Sequence, residues 1–170
     1  MKVVFLDFDG VLNSVRYHTE RHNAGLDHAG RGMVPCLDPR GIAVLNEVVQ
    51  KTESVVVVTS TWRIGEQRVR LSEWLRDAGF TGIVHGATPL WKDVKAAHPE
   101  MDNIRRGHEI QLWLDWAAEC PDRRLGPVTH FVILDDDTDM EHLYDRLVKV
   151  DDLEGLTAAY LPAILKHLEG

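Results

Sequence analysis

Three apolar runs in this sequence each stop at side chains that carry oxygen atoms. The runs and the polar residues that follow them are 3–6 with Asp7 and Asp9, 55–58 with Thr59 and Ser60, and 131–134 with Asp135 and Asp136. Several carboxylates that converge at one point repel each other and need a cation, and hard oxygen ligands of this kind suit Mg²⁺. If the three runs end side by side, the sequence predicts a magnesium site.

Carboxylates beside a magnesium ion can carry out chemistry on phosphate esters. A carboxylate that attacks a phosphate dianion meets like-charge repulsion, and Mg²⁺ in contact with both partners removes much of it. A second carboxyl group can protonate the leaving oxygen and then act as the base for water. The alternative is structural: the acids cap backbone amides or a helix N-terminus, and Thr59 and Ser60 cap the next helix.

The apolar runs have the composition of buried strands. They are rich in β-branched residues along their whole length, which suits a parallel sheet that is covered on both faces. Shorter strand candidates lie at 83–84 and 147–150. Helical segments fall between the strands, so we predict an α/β fold with three α/β/α layers and a doubly wound parallel sheet. Ligands of such sheets bind beyond the carboxyl ends of the strands, where the oxygen-bearing side chains are expected.

Apolar stripes at helical spacing predict the helices. The first follows Asp38 and Pro39, a capping side chain and a proline at the first helical position. The stripes consist of Ile42, Leu45, Val48 and Val49; of Leu71, Trp74, Leu75 and Ala78; of Ile110, Trp113, Leu114 and Ala117; of Met140, Leu143 and Leu147; and of Leu161, Ile164, Leu165 and Leu168.

The segment 13–37 lacks such a stripe. It is polar and contains three glycines, so we expect a long loop or flap, and a loop of that length inside a compact domain is usually functional or mobile. His18 and His22 stand four residues apart, with His28 beyond, which would suit a second metal site on a helix. Because no apolar period supports a helix there, a solvated loop is the favoured interpretation.

Bulk composition limits the functional classes. The chain has 170 residues and a formal net charge of -8. The length fits one domain over 1–170, and the acidic balance argues against an extended surface for duplex nucleic acid. Cys36 and Cys120 lack zinc-type spacing and are expected to be reduced thiols of a cytoplasmic protein. No apolar stretch has the length of a signal peptide or a membrane span, so no membrane contact is expected.

The segment FLDFDGVLN, residues 5–13, resembles the first motif of the haloacid dehalogenase-like (HAD) superfamily, an apolar strand followed by DxDGx. The resemblance implies that Asp7 is a nucleophile that forms an aspartyl-phosphate. It also implies that Asp9 is the general acid and base and gives its backbone carbonyl to Mg²⁺. An acid at this second position is the family's pattern for phosphatases and phosphomutases. Gly10 would allow a tight turn and a close backbone approach at the phosphate.

Two further strand ends extend the resemblance. The segment VVVVTS looks like the second motif, which implies that Thr59, with Ser60 as the near alternative, holds phosphate oxygens. The segment VILDD looks like the fourth motif, which implies that Asp135 and Asp136 complete the metal site. Asp136 is favoured for direct ligation, with Asp135 as the alternative.

The third motif of the superfamily is only a lysine or arginine before a helix. Arg105 and Arg106 precede the third predicted stripe, and we favour Arg106 as the cation that offsets the charge of Asp7 and the phosphate. A solvated helix start is the alternative. Arg63 is a candidate for substrate contact because guanidinium suits phosphate, with a solvated position as the alternative.

The segments DFDGVLN, TSTWR, RRGHEI and ILDDD are similar to small HAD domains of nucleic-acid repair proteins. Neither the gap between Asp9 and Thr59 nor the gap between Arg63 and Arg105 has room for a full cap domain. The resemblance therefore implies an open site, which favours a bulky substrate or a covering partner. Trp62 and Trp91 lie off the apolar stripes and are candidates for stacking on bases, with packing as the favoured alternative.

The leading interpretation is a magnesium-dependent phosphomonoester hydrolase. A nucleotide, a nucleic-acid terminal phosphate and a small metabolite all remain open as its phosphorylated substrate. One alternative is a phosphotransferase or phosphomutase of the same chemistry, which the missing cap disfavours because transfer requires exclusion of water. Another is a non-catalytic phospho-receiver-like binding domain. Thr59 and Ser60 count against it, because such domains carry an aspartate at that later strand end.

Overall fold

The computed structural model describes residues 1–26, 35–66 and 68–169. In that part of the chain, one sheet is built from five parallel strands: β1 (Lys2–Leu6), β2 (Val55–Val58), β3 (Val84–Ala87), β4 (His130–Asp135) and β5 (Leu147–Lys149). The order across the sheet is β3-β2-β1-β4-β5. The chain therefore builds one half of the sheet from β1 outward and then returns to build the other half. This confirms the predicted doubly wound parallel sheet.

Helices connect the strands. They are α1 (Val15–Asn23), α2 (Pro39–Thr52), α3 (Arg68–Asp77), α4 (Trp91–Ala97), α5 (Arg106–Glu119) and α6 (Leu161–Glu169), with shorter 3₁₀ helices at Thr61–Arg63, Glu141–Arg146 and Ala158–Tyr160. The Asp38 side chain accepts a hydrogen bond from the Arg40 amide at 2.9 Å, so α2 begins with the predicted cap. Among the helices of the described chain, none combines the length and apolar composition that crossing a bilayer requires.

Alternation along the strands divides the core into two layers. Val4 and Leu6 of β1 pack on the face that α2, α3 and α6 cover. Val3 and Phe5 pack on the other face, against α5. Successive side chains of a strand point to opposite faces, so a strand that is covered on both sides must be apolar throughout. In the described part of the chain, the segments after β1 and β3 contain no large cap, as predicted.

The pairing register places the ends of the three central strands at one level. Leu6 of β1 pairs with Val58 of β2 on one side and with Leu134 of β4 on the other. The next residues along the three strands are Asp7, Thr59 and Asp135, which therefore lie side by side at the carboxyl edge of the sheet.

The prediction of a loop over 13–37 is wrong for its first part. Residues 15–23 form α1, and the Ser14 hydroxyl accepts a hydrogen bond from the Tyr17 amide at 3.3 Å. No residue of α1 is buried, so an apolar period could not reveal it. His18 and His22 are exposed on this helix rather than in a loop, and His28 lies outside the described residues.

Two further expectations differ from the structure. Residues 141–146 form a 3₁₀ helix rather than an α-helix, and Leu147 already belongs to β5. Within the 3₁₀ helix only Leu143 is buried, three residues after the buried Met140, and a spacing of three residues fits either helix type. The short helix α4 was not predicted, because Val94 is its only buried residue.

Candidate active site

Backbone hydrogen bonds continue for one residue past the central strands. The Asp7 amide donates to the Leu134 carbonyl at 3.0 Å, and the Thr59 amide donates to the Leu6 carbonyl at 2.8 Å. These bonds fix the chain at the carboxyl edge of the sheet, so the side chains that follow are held by the sheet rather than by loops. This edge is where ligands of doubly wound sheets bind.

Three carboxyl groups converge at this edge. Asp7, Asp135 and Asp136 each offer one oxygen, and these oxygens lie within 4.8 Å of one another. Burial raises the pKa of all three carboxyl groups, and it raises the pKa of Asp135 to about 7. Repulsion from Asp7 raises the pKa of Asp135 and of Asp136 further. A cluster of this kind is stable with all its members ionised only if positive charge is supplied.

The donor set fits a hard divalent cation such as Mg²⁺. All three groups are carboxylates, and Asp135 is completely buried while its Oδ2 atom has no hydrogen-bond partner. A buried carboxylate oxygen without a donor is costly in free energy, and a metal ion satisfies it. The arrangement therefore agrees with the metal site predicted from the sequence.

Gly10 allows the loop after β1 to pass against this cluster. Its φ of +71° is in the left-handed region, which favours glycine. A Cβ atom at this position would lie 2.5 Å from Oδ2 of Asp136, which is closer than real contacts. The predicted tight turn and close approach at Gly10 are present, and the observed neighbour is the Asp136 carboxyl group.

The Arg106 guanidinium lies between the acids. Its Nη1 atom is 3.3 Å from Oδ1 of Asp7 and donates to the Thr59 carbonyl at 2.7 Å, while its Nε atom is 3.6 Å from Oδ2 of Asp135. Burial alone would lower the pKa of Arg106, but the surrounding carboxylates outweigh burial and raise it. Arg105, the alternative, is directed to Glu141 at 3.1 Å. The geometry thus distinguishes the two arginines and places Arg106 at Asp7.

Thr59 and Ser60 lie beside Asp7. Both residues are fully buried, and the Thr59 hydroxyl has no hydrogen-bond partner among the described residues. The Ser60 hydroxyl accepts a hydrogen bond from the Trp62 amide at 3.5 Å, and a hydrogen bond from its side chain partly offsets the effect of burial on the pKa of Asp7. Thr59 therefore has a hydroxyl that a ligand could use, while that of Ser60 is engaged.

The Asp9 side chain lies apart from the three-carboxylate cluster. It is exposed, and both of its carboxylate oxygens accept hydrogen bonds of 3.0 Å from Nε1 of Trp62. The side-chain amide of Asn13 donates a hydrogen bond through Nδ2 to Oδ1 of Asp9 at 2.5 Å. These contacts hold the Asp9 carboxylate at Trp62 and Asn13, and it is not a member of the three-carboxylate cluster. Ligation through its backbone carbonyl stays a prediction.

Arg63 does not lie at the substrate position that the sequence suggested. It is 7% exposed, and its guanidinium is surrounded by acceptors of the protein itself. They are the backbone carbonyls of Thr59, Ser60, Thr88 and Pro89 and the carboxylate of Glu109. Because these acceptors engage its donor groups, Arg63 ties the ends of β2 and β3 to α5. We therefore correct its assignment from substrate binding to positioning.

Sequence reasoning missed Glu109 and Gly107. Glu109 pairs with Arg63 at 2.6 Å, and burial raises the pKa of its carboxyl group while Arg63 and Arg106 lower it. A Cβ atom on Gly107 would lie 2.5 Å from the carbonyl carbon of Met140, so α5 packs directly on the loop after β4. The glycine in the first turn of a predicted helix was the available signal.

Asp139 also connects the loop after β4 to the start of α5. Its Oδ2 atom accepts a hydrogen bond from the Arg106 amide at 3.2 Å, and its carbonyl accepts one from the Gly107 amide at 3.1 Å. For the acids after β4, the alternative to metal ligation was a position at a helix N-terminus. The helix that Asp139 caps is α5, which is distant in sequence.

A sizeable cavity lies elsewhere. It has a volume of about 840 Å³ and is lined by residues at the amino ends of the strands, including Lys2, Val55 and Thr129. None of the clustered carboxyl groups contributes to it. The cluster of carboxyl groups lies at the opposite edge of the sheet from this cavity.

Comparison with known proteins agrees with this arrangement. Over residues 3–161 the chain matches the model of a family described as the HAD domain in Swiss Army Knife RNA repair proteins. No curated protein and no solved structure matches the chain. The match spans nearly the whole chain, and the fold and the strand-end acids are those that the HAD resemblance implied. The protein therefore belongs to the family of HAD domains found in Swiss Army Knife RNA repair proteins.

Proposed function

We propose that this protein is a magnesium-dependent phosphomonoester hydrolase that acts on a phosphate at a nucleotide or nucleic-acid end. The observation that carries the proposal is the convergence of Asp135, Asp136 and Arg106 around the buried carboxylate of Asp7. HAD membership gives phosphatase-type chemistry as the general class. The family's description names RNA repair, which supports a nucleic-acid end as the substrate.

Asp7, Asp135 and Asp136, together with the backbone carbonyl of Asp9, would hold Mg²⁺. The ion supplies the positive charge that offsets repulsion between a carboxylate nucleophile and a phosphate dianion. Asp7 is suited to attack because the hydrogen bond from its amide to the Leu134 carbonyl fixes its backbone at the end of β1. Arg106 adds a second fixed positive charge within reach of the Asp7 carboxylate.

The reaction proceeds in two steps. An oxygen of Asp7 forms a bond to phosphorus while the bond from phosphorus to the ester oxygen breaks, and protonated Asp9 gives its proton to that oxygen. Water then attacks the phosphorus of the aspartyl-phosphate, Asp9 accepts a proton from the water, and Asp7 is released as a carboxylate. Asp9 is exposed and follows the buried Asp7 by two residues, which suits this division of roles.

Thr59 supplies a site for the phosphate oxygens. Its buried hydroxyl has no partner among the described residues, and a bound phosphate oxygen would satisfy it. Arg106 holds the Thr59 carbonyl and the Asp7 carboxylate together. The nucleophile and the phosphate site are thus positioned by one guanidinium.

The test measures inorganic phosphate released from an aryl phosphate, from nucleoside 3′- and 5′-monophosphates and from oligonucleotides phosphorylated at either end, with and without Mg²⁺. We expect Asp7→Asn to abolish release and Asp9→Asn to slow release more from nucleotides than from the aryl phosphate, whose leaving group needs no proton. Asp137→Asn is the matched control, because Asp137 is exposed and its carboxylate accepts only from the adjacent Thr138 amide, at 2.6 Å, among the bonds described. Retention of activity by Asp7→Asn would contradict the assignment.

A further inference from the structure

A cavity adjoins Asp9, and none of the three clustered carboxyl groups lines it. It has a volume of about 430 Å³ and is lined by Asp9, Thr61, Trp62, Ile64, Glu66 and Trp74. Small-molecule sites in proteins typically have volumes of about 300–1,000 Å³. We call it the Trp62 cavity. Neither the fold nor the chemistry at Asp7 accounts for it.

We propose that the Trp62 cavity binds the nucleobase of the leaving nucleotide, so that the enzyme prefers phosphate esters of nucleosides. The inference rests on the proposed function, because it takes Asp9 as the group that protonates the leaving oxygen. Asp9 must contact that oxygen, and Asp9 also lines the cavity. Whatever is attached to the leaving oxygen therefore begins at the mouth of the cavity.

The walls of the cavity suit a flat aromatic group. Trp62 is half-buried and packs edge-on against the buried ring of Trp74, with centroids 5.8 Å apart and an interplanar angle of 86°. This contact limits the freedom of the Trp62 ring. Ile64 is 58% exposed, so a large apolar side chain faces water beside the indole. Nucleobases stack on aromatic side chains and shield such apolar surface from water.

The charge of the cavity disfavours leaving groups that carry a further phosphate. Its lining among the described residues contains the acids Asp9 and Glu66 and no lysine or arginine. A second phosphate group in this position would meet repulsion from both acids. A neutral base meets none, and its amino groups can donate to a carboxylate. The occupant that fits is therefore a nucleoside rather than a polyphosphate.

Trp62 links the cavity to catalysis. Its ring forms a wall, while its Nε1 atom donates to both oxygens of Asp9 at 3.0 Å. A base stacked on the indole would hold Trp62, and through it Asp9, in the orientation that faces the leaving oxygen. Two substitutions separate these roles, since Trp62→Phe keeps an aromatic ring without the N–H group, whereas Trp62→Leu removes both.

The experiment compares kcat/KM for adenosine 3′-monophosphate and adenosine 5′-monophosphate with kcat/KM for glycerol 2-phosphate. We expect the wild type to prefer at least one nucleotide, and Trp62→Leu to reduce that preference about tenfold, the size of a lost base–aromatic contact. Trp62→Phe should keep most of the preference while lowering kcat for all three esters. Trp116→Leu is the matched control, because Trp116 is 48% exposed on α5 and does not line the cavity.

A second measurement needs no variant. Adenosine should inhibit the wild type competitively against either ester, while glycerol at the same concentration should not. Hydrolysis of all esters without nucleotide preference and without inhibition by adenosine would overturn the inference and leave the proposed function standing. A nucleotide preference that survives Trp62→Leu would overturn it as well. Absence of phosphate release from every ester by the wild type would instead contradict the proposed function itself.

Discussion

Asp135 is the most deeply buried of the three clustered acids. It is completely buried at the end of β4, and removal from water raises the pKa of its carboxyl group to about 7, although Arg106 opposes the shift. In the unfolded chain this group ionises near its ordinary pKa of 3.8. The folded protein without metal therefore holds the proton more tightly than the unfolded chain does.

This difference predicts a pH dependence of stability. Because the folded-state pKa is raised, the free energy of unfolding of the metal-free protein should fall as pH rises from about 4 to about 7. Asp135→Asn, which cannot ionise, should stabilise the metal-free protein at pH 8 and reduce this fall. Urea unfolding at pH 5 and pH 8 in the presence of a chelator measures both effects, with Asp137→Asn as the control.

Mg²⁺ should reverse this loss of stability at high pH in the wild type, because a ligand that binds only the folded state stabilises the folded state. The same addition should stabilise Asp135→Asn much less. If the metal-free wild type were more stable at pH 8 than at pH 5, or if Asp135→Asn lowered its stability at pH 8, the buried carboxylate would not be the unfavourable group that we describe.

Single residues differ in how far the sequence predicts their roles. The positions of Asp7 and Asp135 at strand ends are predictable, because each directly follows an apolar run with the composition of a buried strand. Arg63 was assigned to the substrate because a guanidinium suits phosphate. Its actual partners come from the end of β3 and from α5, and the local sequence around residue 63 contains no sign of them.

At the scale of elements, α5 is the part that the site depends on most. Its first residue is Arg106. Its N-terminal end is held by the Arg63–Glu109 pair, by the hydrogen bonds to Asp139 and by the close approach of Gly107 to the loop after β4. The same loop carries Asp136. A shift of α5 would therefore move the guanidinium away from Asp7 and disturb the metal ligands at the same time.

Substitution of Gly107 tests this dependence. Gly107→Ala places a Cβ atom against the backbone of Met140, so α5 must move. We expect a lower melting temperature and a loss of phosphate release of about tenfold or more, given that small displacements of catalytic groups have large effects on rate. Gly86→Ala in β3 is the matched control, because a Cβ atom there meets nothing within 4 Å. Normal activity in Gly107→Ala would show that the packing of α5 is not critical.

Strands and helices were predictable where burial gives their apolar residues a regular spacing along the sequence. The strands and α2 were predicted because their apolar residues face the core. Helix α1 was not, because it buries no residue and is held by polar contacts such as the Arg40–Glu20 ion pair at 2.6 Å. Sequence patterns report burial, and an exposed helix leaves no such pattern.

The whole molecule combines an open site with an acidic surface. The formal net charge is -8, and the described residues contain no large cap over the site. An open site admits the end of a polymer, whereas the negative charge disfavours contact with phosphates along it. Recognition should therefore be restricted to the terminal nucleotide.

Recognition of the terminal nucleotide alone predicts how activity depends on the length of the oligonucleotide and on salt concentration. For 3′- and 5′-phosphorylated single strands, kcat/KM should change little between a dinucleotide and a longer oligonucleotide. It should also depend weakly on salt concentration, because few phosphates are neutralised by the protein. Kinetics at low and moderate salt with constant Mg²⁺ measure both. A steep decrease with salt for the longer strand would contradict recognition restricted to the terminal nucleotide.

The most direct test of the account is identification of the phosphorylated residue during turnover. The protein is mixed with Mg²⁺ and a radiolabelled phosphate ester, quenched in acid within the first turnovers, digested and mapped. We predict a hydroxylamine-labile label on the peptide that contains Asp7, and none in Asp7→Asn. Steady release of phosphate with no labelled peptide, or with the label on another residue, would contradict the assignment of Asp7 as the nucleophile.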